Sequence, residues 1–155
     1  MEIKILNDKY ELGVAAGRAG AKRIREAIAE KGEANIVLAT GMSQFETINQ
    51  LIDEKDIDWS KVRMFHLDEY IGLSEDAKAS FRKYLKERFI NRVGTLLAVF
   101  LINGEAKDPL AECERLERMI QAYPIDVSFV GIGENGHLAF NDPPANFDAQ
   151  EAYLI

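Results

Sequence analysis

Short apolar runs alternate with amphipathic stretches along this chain, and this alternation restricts the fold more than any other feature. The apolar runs, which have the length of strands, lie at residues 35–39, 62–67, 96–102 and 125–130. The amphipathic stretches, which carry apolar residues at helical spacing, lie at residues 10–31, 43–53, 81–89 and 110–120. Because parallel strands are joined by crossover helices, the pattern predicts an α/β fold, a parallel sheet with helices on both faces.

Sequence signals at two helix starts support this division of the chain. Ser80 precedes the third helical stretch and can cap it, and Asp108 followed by Pro109 is a typical start for the fourth. In open parallel sheets, ligands bind beyond the carboxyl ends of the strands. We therefore expect the functional residues to follow the apolar runs.

Length and composition exclude several classes of protein. The 155 residues predict one domain, 1–155, and carry a net charge of −7 with no Lys/Arg-rich run, which argues against nucleic-acid or membrane partners. No apolar stretch is long enough to span a bilayer, and Cys113 is the sole cysteine, which fits a reduced cytoplasmic protein. The two histidines lack the spacing of a metal site, so we predict no metal.

Polar residues follow the first two apolar runs. Thr40, Gly41, Met42 and Ser43 join a strand to a helix start, where free backbone N–H groups and hydroxyls suit a phosphate, although Ser43 or Thr40 could simply cap the helix. Asp68 and Glu69 follow the second run. Side chains alternate along a strand, so only one of these carboxylates need face the cleft, where it could act as a base. For His66, a structural role is the favoured interpretation.

The segment Gly131-Ile-Gly-Glu-Asn-Gly136 after the fourth run matches the GxGxxG fingerprint of dinucleotide-binding proteins. In those proteins the glycines open a helix, whereas Pro143 and Pro144 would end a helix here almost at once. The fingerprint also belongs after the first strand, so we expect no NAD. The glycines are better interpreted as a loop that approaches a ligand closely and presents polar groups, namely Asn135, His137, Asn141 and Asp142.

The three clusters together resemble motifs of the glucosamine-6-phosphate deaminase/isomerase family. The matching segments, in order, are Thr40-Gly-Met-Ser43, Phe65-His-Leu-Asp-Glu-Tyr-Ile-Gly-Leu73 and Gly131-Ile-Gly-Glu-Asn-Gly-His-Leu-Ala-Phe-Asn-Asp-Pro143. The related 6-phosphogluconolactonases typically have arginine after Asp-Glu and a Gly-His-Thr-Ala-Ser type loop. Tyr70 and Gly-His-Leu-Ala-Phe-Asn therefore favour the deaminase side.

The resemblance implies a Rossmann-like sheet and the cofactor-free, hydrolytic conversion of an amino-sugar phosphate into a ketose phosphate and ammonia. It implies that Asp68 is the base that moves a proton between C2 and C1, that His137 opens the sugar ring, and that Asp142 assists His137. Thr40, Gly41, Met42, Ser43, Glu69 and Gly136 are the expected contacts to substrate and phosphate. Hydrolysis of a lactone and non-catalytic sugar-phosphate binding are the alternatives, and a homo-oligomer is left open.

The sequence departs from the family pattern at the third motif. Asn135 stands where characterised members commonly have aspartate, and Asp142 is one methylene shorter than the common glutamate. Either change can retune His137 or indicate another sugar phosphate. The chain also ends at Ile155, before further parts of the family fold. We therefore expect a fold that is incomplete at its C-terminal end, with weak binding and poor turnover by this segment alone.

Overall fold

A four-stranded parallel sheet forms the centre of the protein, as the alternating pattern predicts. The computed structural model describes residues 2–139, 141 and 144–155. The strands are β1 (Ala34–Leu38), β2 (Val62–His66), β3 (Ala98–Phe100) and β4 (Val127–Phe129), in the spatial order β3-β2-β1-β4. The register pairs Leu38 with His66 and with Phe129, so β1, β2 and β4 end at the same edge of the sheet.

The helices begin and end close to the positions that the sequence predicts. They are α1 (Lys9–Lys31), α2 (Phe45–Asp53), α3 (Phe81–Leu85), a π-helical turn (Lys86–Ile90), α4 (Asn91–Val93) and α5 (Pro109–Ala122). Both predicted caps are confirmed, because the side chains of Ser80 and Asp108 accept hydrogen bonds from the N–H groups of Lys83 and Ala111. The second helix begins at Phe45 and not at Ser43, since 3₁₀-helical geometry occupies Met42–Gln44.

Helices cover both faces of the sheet. One face packs Ile36, Leu38 and Met64 against Ile24 of α1 and Leu51 of α2 in the main core. On the other face Phe65 stacks on Phe100, which stacks in turn on Tyr123 just after α5. This confirms the predicted α/β arrangement.

Close packing of α1 on α2 depends on a residue without a side chain. A Cβ atom added at Gly13 would lie 2.7 Å from the backbone carbonyl carbon of Glu46, nearer than real Cβ atoms approach. The two helices could not stay this close with alanine at position 13, so Gly13 allows α1 to contact the first turn of α2.

The third and fourth strands are shorter than predicted, although the N–H groups of Leu97 and Asp126 still donate to carbonyls of the neighbouring strands. After β3, the carbonyl of Leu101 accepts from the Arg115 side chain, and the N–H of Ile102 donates to the His66 ring. Before β4, the Asp126 carboxylate turns back to accept from the N–H of Asn35. An apolar run therefore marks each strand but overstates its length.

Within residues 2–139, 141 and 144–155, no helix is long and apolar enough to cross a membrane. The same residues contain no group of three or more His, Cys, Asp or Glu side chains placed to hold a metal ion.

Candidate active site

A cleft lies where the carboxyl ends of β1, β2 and β4 meet. The residues that line it are Ala39, Thr40, Gly41, Ser43, Leu67, Asp68, Phe81, Gly131, Ile132, Gly133, His137 and Ala139. Each of the three sequence clusters contributes to this lining. Thr40, Asp68 and His137 follow three different apolar runs and all line this cleft, as expected for residues at the carboxyl ends of parallel strands.

Asp68 is the carboxylate that faces this cleft. It is partly buried, and that burial, reinforced by the negative charge of Glu69 and opposed by His137, raises its pKa from 3.8 to about 6. Removing a carboxyl group from water penalises its charged form, which is why the pKa rises. A carboxyl group with a pKa near neutrality can both take up and release a proton at physiological pH.

His137 lies across the cleft in contact with Asn135. Its Nδ1 atom is 2.5 Å from the Asn135 Oδ1 atom, which also accepts from the His137 backbone N–H at 3.4 Å. An amide oxygen can only accept, so this contact requires a proton on Nδ1. In the neutral imidazole, Nε2 is then the atom that can accept a proton. The side chain of Asn135 itself is not part of the cleft lining.

The glycine-rich segment forms a tight turn and does not open a helix within residues 131–139. The N–H of Gly136 donates to the carbonyl of Gly133, and Gly136 has a φ of 86°, which favours glycine. A Cβ atom at Gly133 would collide with the His137 ring. These glycines therefore let the loop close around its own histidine. Gly131 and Gly133 also line the cleft, and the expected approach of this backbone to a ligand stays a prediction.

The segment from Thr40 to Ser43 presents backbone donors to the cleft. No hydroxyl there caps a helix, because Gly41 and Gln44 occupy the cap positions without a side-chain hydrogen bond. The N–H groups of Met42 and Ser43 have no acceptor among the residues that the structure describes. Met42 is 80% exposed and does not line the cleft, so its expected contact with substrate stays a prediction.

Glu69 points away from the cleft. Its side chain is fully buried beside Arg82, and it is absent from the cleft lining. The expectation that Glu69 contacts substrate is therefore not met by this arrangement. The physical reason is that Ser80, Phe81 and Arg82 donate hydrogen bonds to the Glu69 carboxylate and hold it beside α3.

Two other polar residues of the sequence motifs are His66 and Asp142, and His66 does not line the cleft. His66 is completely buried, its Nδ1 accepts from the N–H of Ile102, and burial lowers its pKa to about 4, in keeping with the structural role favoured from the sequence. Asp142, the expected assistant of His137, lies outside the described residues.

Sequence reasoning missed two aromatic residues of the site. Phe81 lines the cleft from the first turn of α3, and the Tyr84 hydroxyl donates to the carbonyl of Gly41 at 2.9 Å. Tyr84 also stacks on Phe45 at the start of α2. The capping serine before Phe81 marked the helix start, but nothing in the local pattern indicated that this helix reaches the first cluster.

The parallel sheet and the cleft beyond the carboxyl ends of its strands define an α/β protein with a site of the open-sheet type. A family model described as glucosamine-6-phosphate isomerases/6-phosphogluconolactonase matches residues 7–151. The chain therefore belongs to this family, as the motifs predict.

Curated relatives that the chain resembles include glucosamine-6-phosphate deaminases. The glucosamine-6-phosphate deaminase of Streptococcus sanguinis is 37% identical over 142 residues, which are 92% of this chain and 59% of that protein. The deaminase of Streptococcus suis is 37% identical over 153 residues, 97% of this chain and 61% of that protein. The chain thus spans about three fifths of the length of the curated relatives it matches.

Solved structures of both kinds of enzyme superpose on this chain. A monomeric glucosamine-6-phosphate deaminase superposes with a TM-score of 0.84 at 32% identity, covering 96% of this chain and 62% of that one. A 6-phosphogluconolactonase from Shewanella baltica superposes with a TM-score of 0.78 at 23% identity, covering 89% and 59%, which shows a shared fold.

Proposed function

We propose that this chain carries the proton-transfer site of a glucosamine-6-phosphate deaminase. The observation that carries the proposal is the position of Asp68, a partly buried carboxylate with a pKa of about 6, in one cleft with His137 and the backbone donors after Thr40. Identity to curated deaminases over more than nine tenths of the chain supports the choice of substrate.

The proposed reaction begins when His137 assists opening of the sugar ring, which exposes an aldehyde at C1. The Asp68 carboxylate then takes the proton from C2, the C–H electron pair forms the C1=C2 bond, and the C1 oxygen gains a proton. Asp68 returns its proton to C1, which leaves an imine at C2. Water adds to C2 and the C2–N bond breaks, so that one water is consumed and one ammonia released.

The residues around His137 set its role in this scheme. Because Nδ1 faces the Asn135 amide, Nε2 is the atom proposed to exchange a proton with the ring oxygen. Asn135 thus orients His137 without contributing a negative charge. A carboxylate at the same position would favour the charged imidazole. Asp142 is the proposed second partner of His137, on the basis of the motif alone.

The phosphate group is proposed to lie against the turn from Thr40 to Ser43. The N–H groups of Met42 and Ser43, at the start of a helical turn, are suited to bind an anion. Gly136 does not line the cleft, so its contact with substrate is proposed from the motif alone. The substrate class also leads us to propose a cytoplasmic location, since sugar phosphates are charged and do not cross membranes unaided.

The test is to incubate the protein with glucosamine 6-phosphate and to measure ammonia and fructose 6-phosphate together. We expect the two products in equal amounts and no added cofactor requirement. Hydrolysis of 6-phosphogluconolactone without ammonia release from the amino sugar would support the lactonase alternative instead. Binding of the sugar phosphate with neither reaction would indicate a non-catalytic module.

The role of His137 is tested by comparing cyclic and acyclic substrates. His137→Gln should impair the ring form more than an acyclic analogue, because ring opening is its proposed step. Glu134→Gln is a matched control, since Glu134 lies in the same loop, is exposed and does not line the cleft. Equal losses on both substrates would remove the ring-opening assignment.

A further inference from the structure

The buried carboxylate of Glu69 connects two walls of the cleft. Glu69 follows Asp68 directly, and its Oε2 atom accepts from the N–H of Arg82 at 2.9 Å and from the Ser80 hydroxyl at 3.0 Å. Its Oε1 atom accepts from the N–H of Phe81 at 3.2 Å and from that of Tyr70 at 3.0 Å. One side chain therefore joins the segment after β2, which carries Asp68, to the start of α3, which carries Phe81.

Arg82 extends this connection to the neighbouring loops. Its guanidinium group, only 6% exposed, lies 3.4 Å from Glu69, donates to the carbonyl of Leu73 at 2.7 Å and pairs with Glu105 at 3.2 Å. Glu105 in turn accepts from the N–H of Glu75. The loop after Asp68 is thus held at both ends, and Glu69 is the member of this network adjacent to the catalytic carboxylate.

We infer that Glu69 is a positioning residue for the reaction, whose buried carboxylate fixes Asp68 and Phe81 relative to each other across the cleft. This inference rests on the proposed function, because it assumes that Asp68 is the base. Glu69 does not touch the substrate in this account. It acts by holding the base in place and by placing a negative charge beside it.

The charges around Asp68 give Glu69 a measurable signature. Burial is the main reason for the raised pKa of Asp68, the negative charge of Glu69 raises it further, and His137 lowers it. Burial alone would raise the pKa of Glu69, but hydrogen bonds from Arg82, Tyr70, Phe81 and Ser80 outweigh that effect and lower it. Glu69 therefore remains charged in the pH range in which Asp68 titrates.

Two substitutions separate the charge of Glu69 from its geometry. Glu69→Gln removes the charge, so the acidic limb of the kcat/KM profile for ammonia release should move to lower pH. Glu69→Asp keeps the charge but shortens the side chain, so the limb should stay in place. We expect kcat to fall on the order of 10- to 100-fold in Glu69→Asp, as misplacement of a catalytic group by about 1 Å does.

Glu87→Gln is the matched control, since Glu87 is exposed, lies just after α3 and is part of neither this network nor the cleft lining. It should leave the pH profile and kcat close to those of the wild type. The Asp68 carboxyl titration, followed by carbon-13 NMR in wild type and Glu69→Gln, should show the same downward shift as the kinetic limb, and this readout does not depend on turnover.

The outcomes distinguish the inference from the proposed function. An Asp68→Asn variant with wild-type turnover, or a wild-type protein that releases no ammonia, would overturn the proposed function and the inference with it. An inactive Asp68→Asn variant combined with an unshifted limb in Glu69→Gln and unchanged kcat in Glu69→Asp would overturn the inference alone. If Glu69→Gln does not fold, a wild-type kcat in Glu69→Asp would overturn the inference.

Discussion

Replacing the proposed base should make the protein more stable at neutral and alkaline pH. The Asp68 pKa rises from 3.8 to about 6 on folding, mainly because burial destabilises the ionised carboxylate in the folded protein. At about 1.4 kcal/mol per pKa unit, this shift corresponds to about 3 kcal/mol. The carboxyl is only partly buried, and solvent screening reduces the figure to about 1–2 kcal/mol. Asp68→Asn keeps the shape of the side chain and removes the charge.

The pH dependence of this stability difference distinguishes the charge of Asp68 from other effects of the substitution. A carboxyl whose pKa is raised on folding destabilises the protein above about pH 6, and the penalty disappears below about pH 4. Urea unfolding of wild type and Asp68→Asn should therefore differ by about 1–2 kcal/mol at pH 8 and converge near pH 4. Asp76→Asn, at an exposed loop position, should show no such pH-dependent gain. A variant less stable than wild type at pH 8, or a gain equal at all pH values, would refute the reasoning.

Three further predictions concern packing and protonation. Gly13→Ala should lower the free energy of unfolding by about 1–3 kcal/mol, because its methyl group meets the Glu46 backbone; an unchanged urea midpoint would contradict this. The wild type should lose up to about 3 kcal/mol relative to His66→Leu as the pH falls from 6.5 to about 4, because His66 takes up its proton only on unfolding; parallel stability curves would contradict this. Asn135→Asp should place a negative charge against the imidazole and move the His137 limb of the pH–rate profile to higher pH; an unmoved limb would show that the contact is absent in solution.

The alternation of strands and helices was enough to predict the architecture and the position of the cleft. Thr40, Asp68 and His137 follow apolar runs, and parallel strands bring such positions to one edge. The spatial order β3-β2-β1-β4 was not predictable, because buried apolar runs do not specify their neighbours.

The direction of Glu69 depended on information that the local pattern lacks. Alternation required Asp68 and Glu69 to diverge, but it did not say which of them faces the cleft. That choice follows from Ser80, Phe81 and Arg82, which lie 11 to 13 residues further along the chain and supply donors only in the folded protein. The contact of Tyr84 with Gly41, 43 residues apart, is hidden from the sequence for the same reason.

The most direct test of the central claim is the transfer of hydrogen between solvent and C1 of the sugar. The protein is incubated with glucosamine 6-phosphate in deuterium oxide, and the fructose 6-phosphate is examined for deuterium at C1. The account predicts deuterium at C1 with wild type, as the proton on Asp68 exchanges with solvent, and formation of this product 10²–10⁴-fold slower with Asp68→Asn, the usual effect of removing a positioned base. Wild-type rates of labelled product from Asp68→Asn would contradict the claim that Asp68 carries the proton.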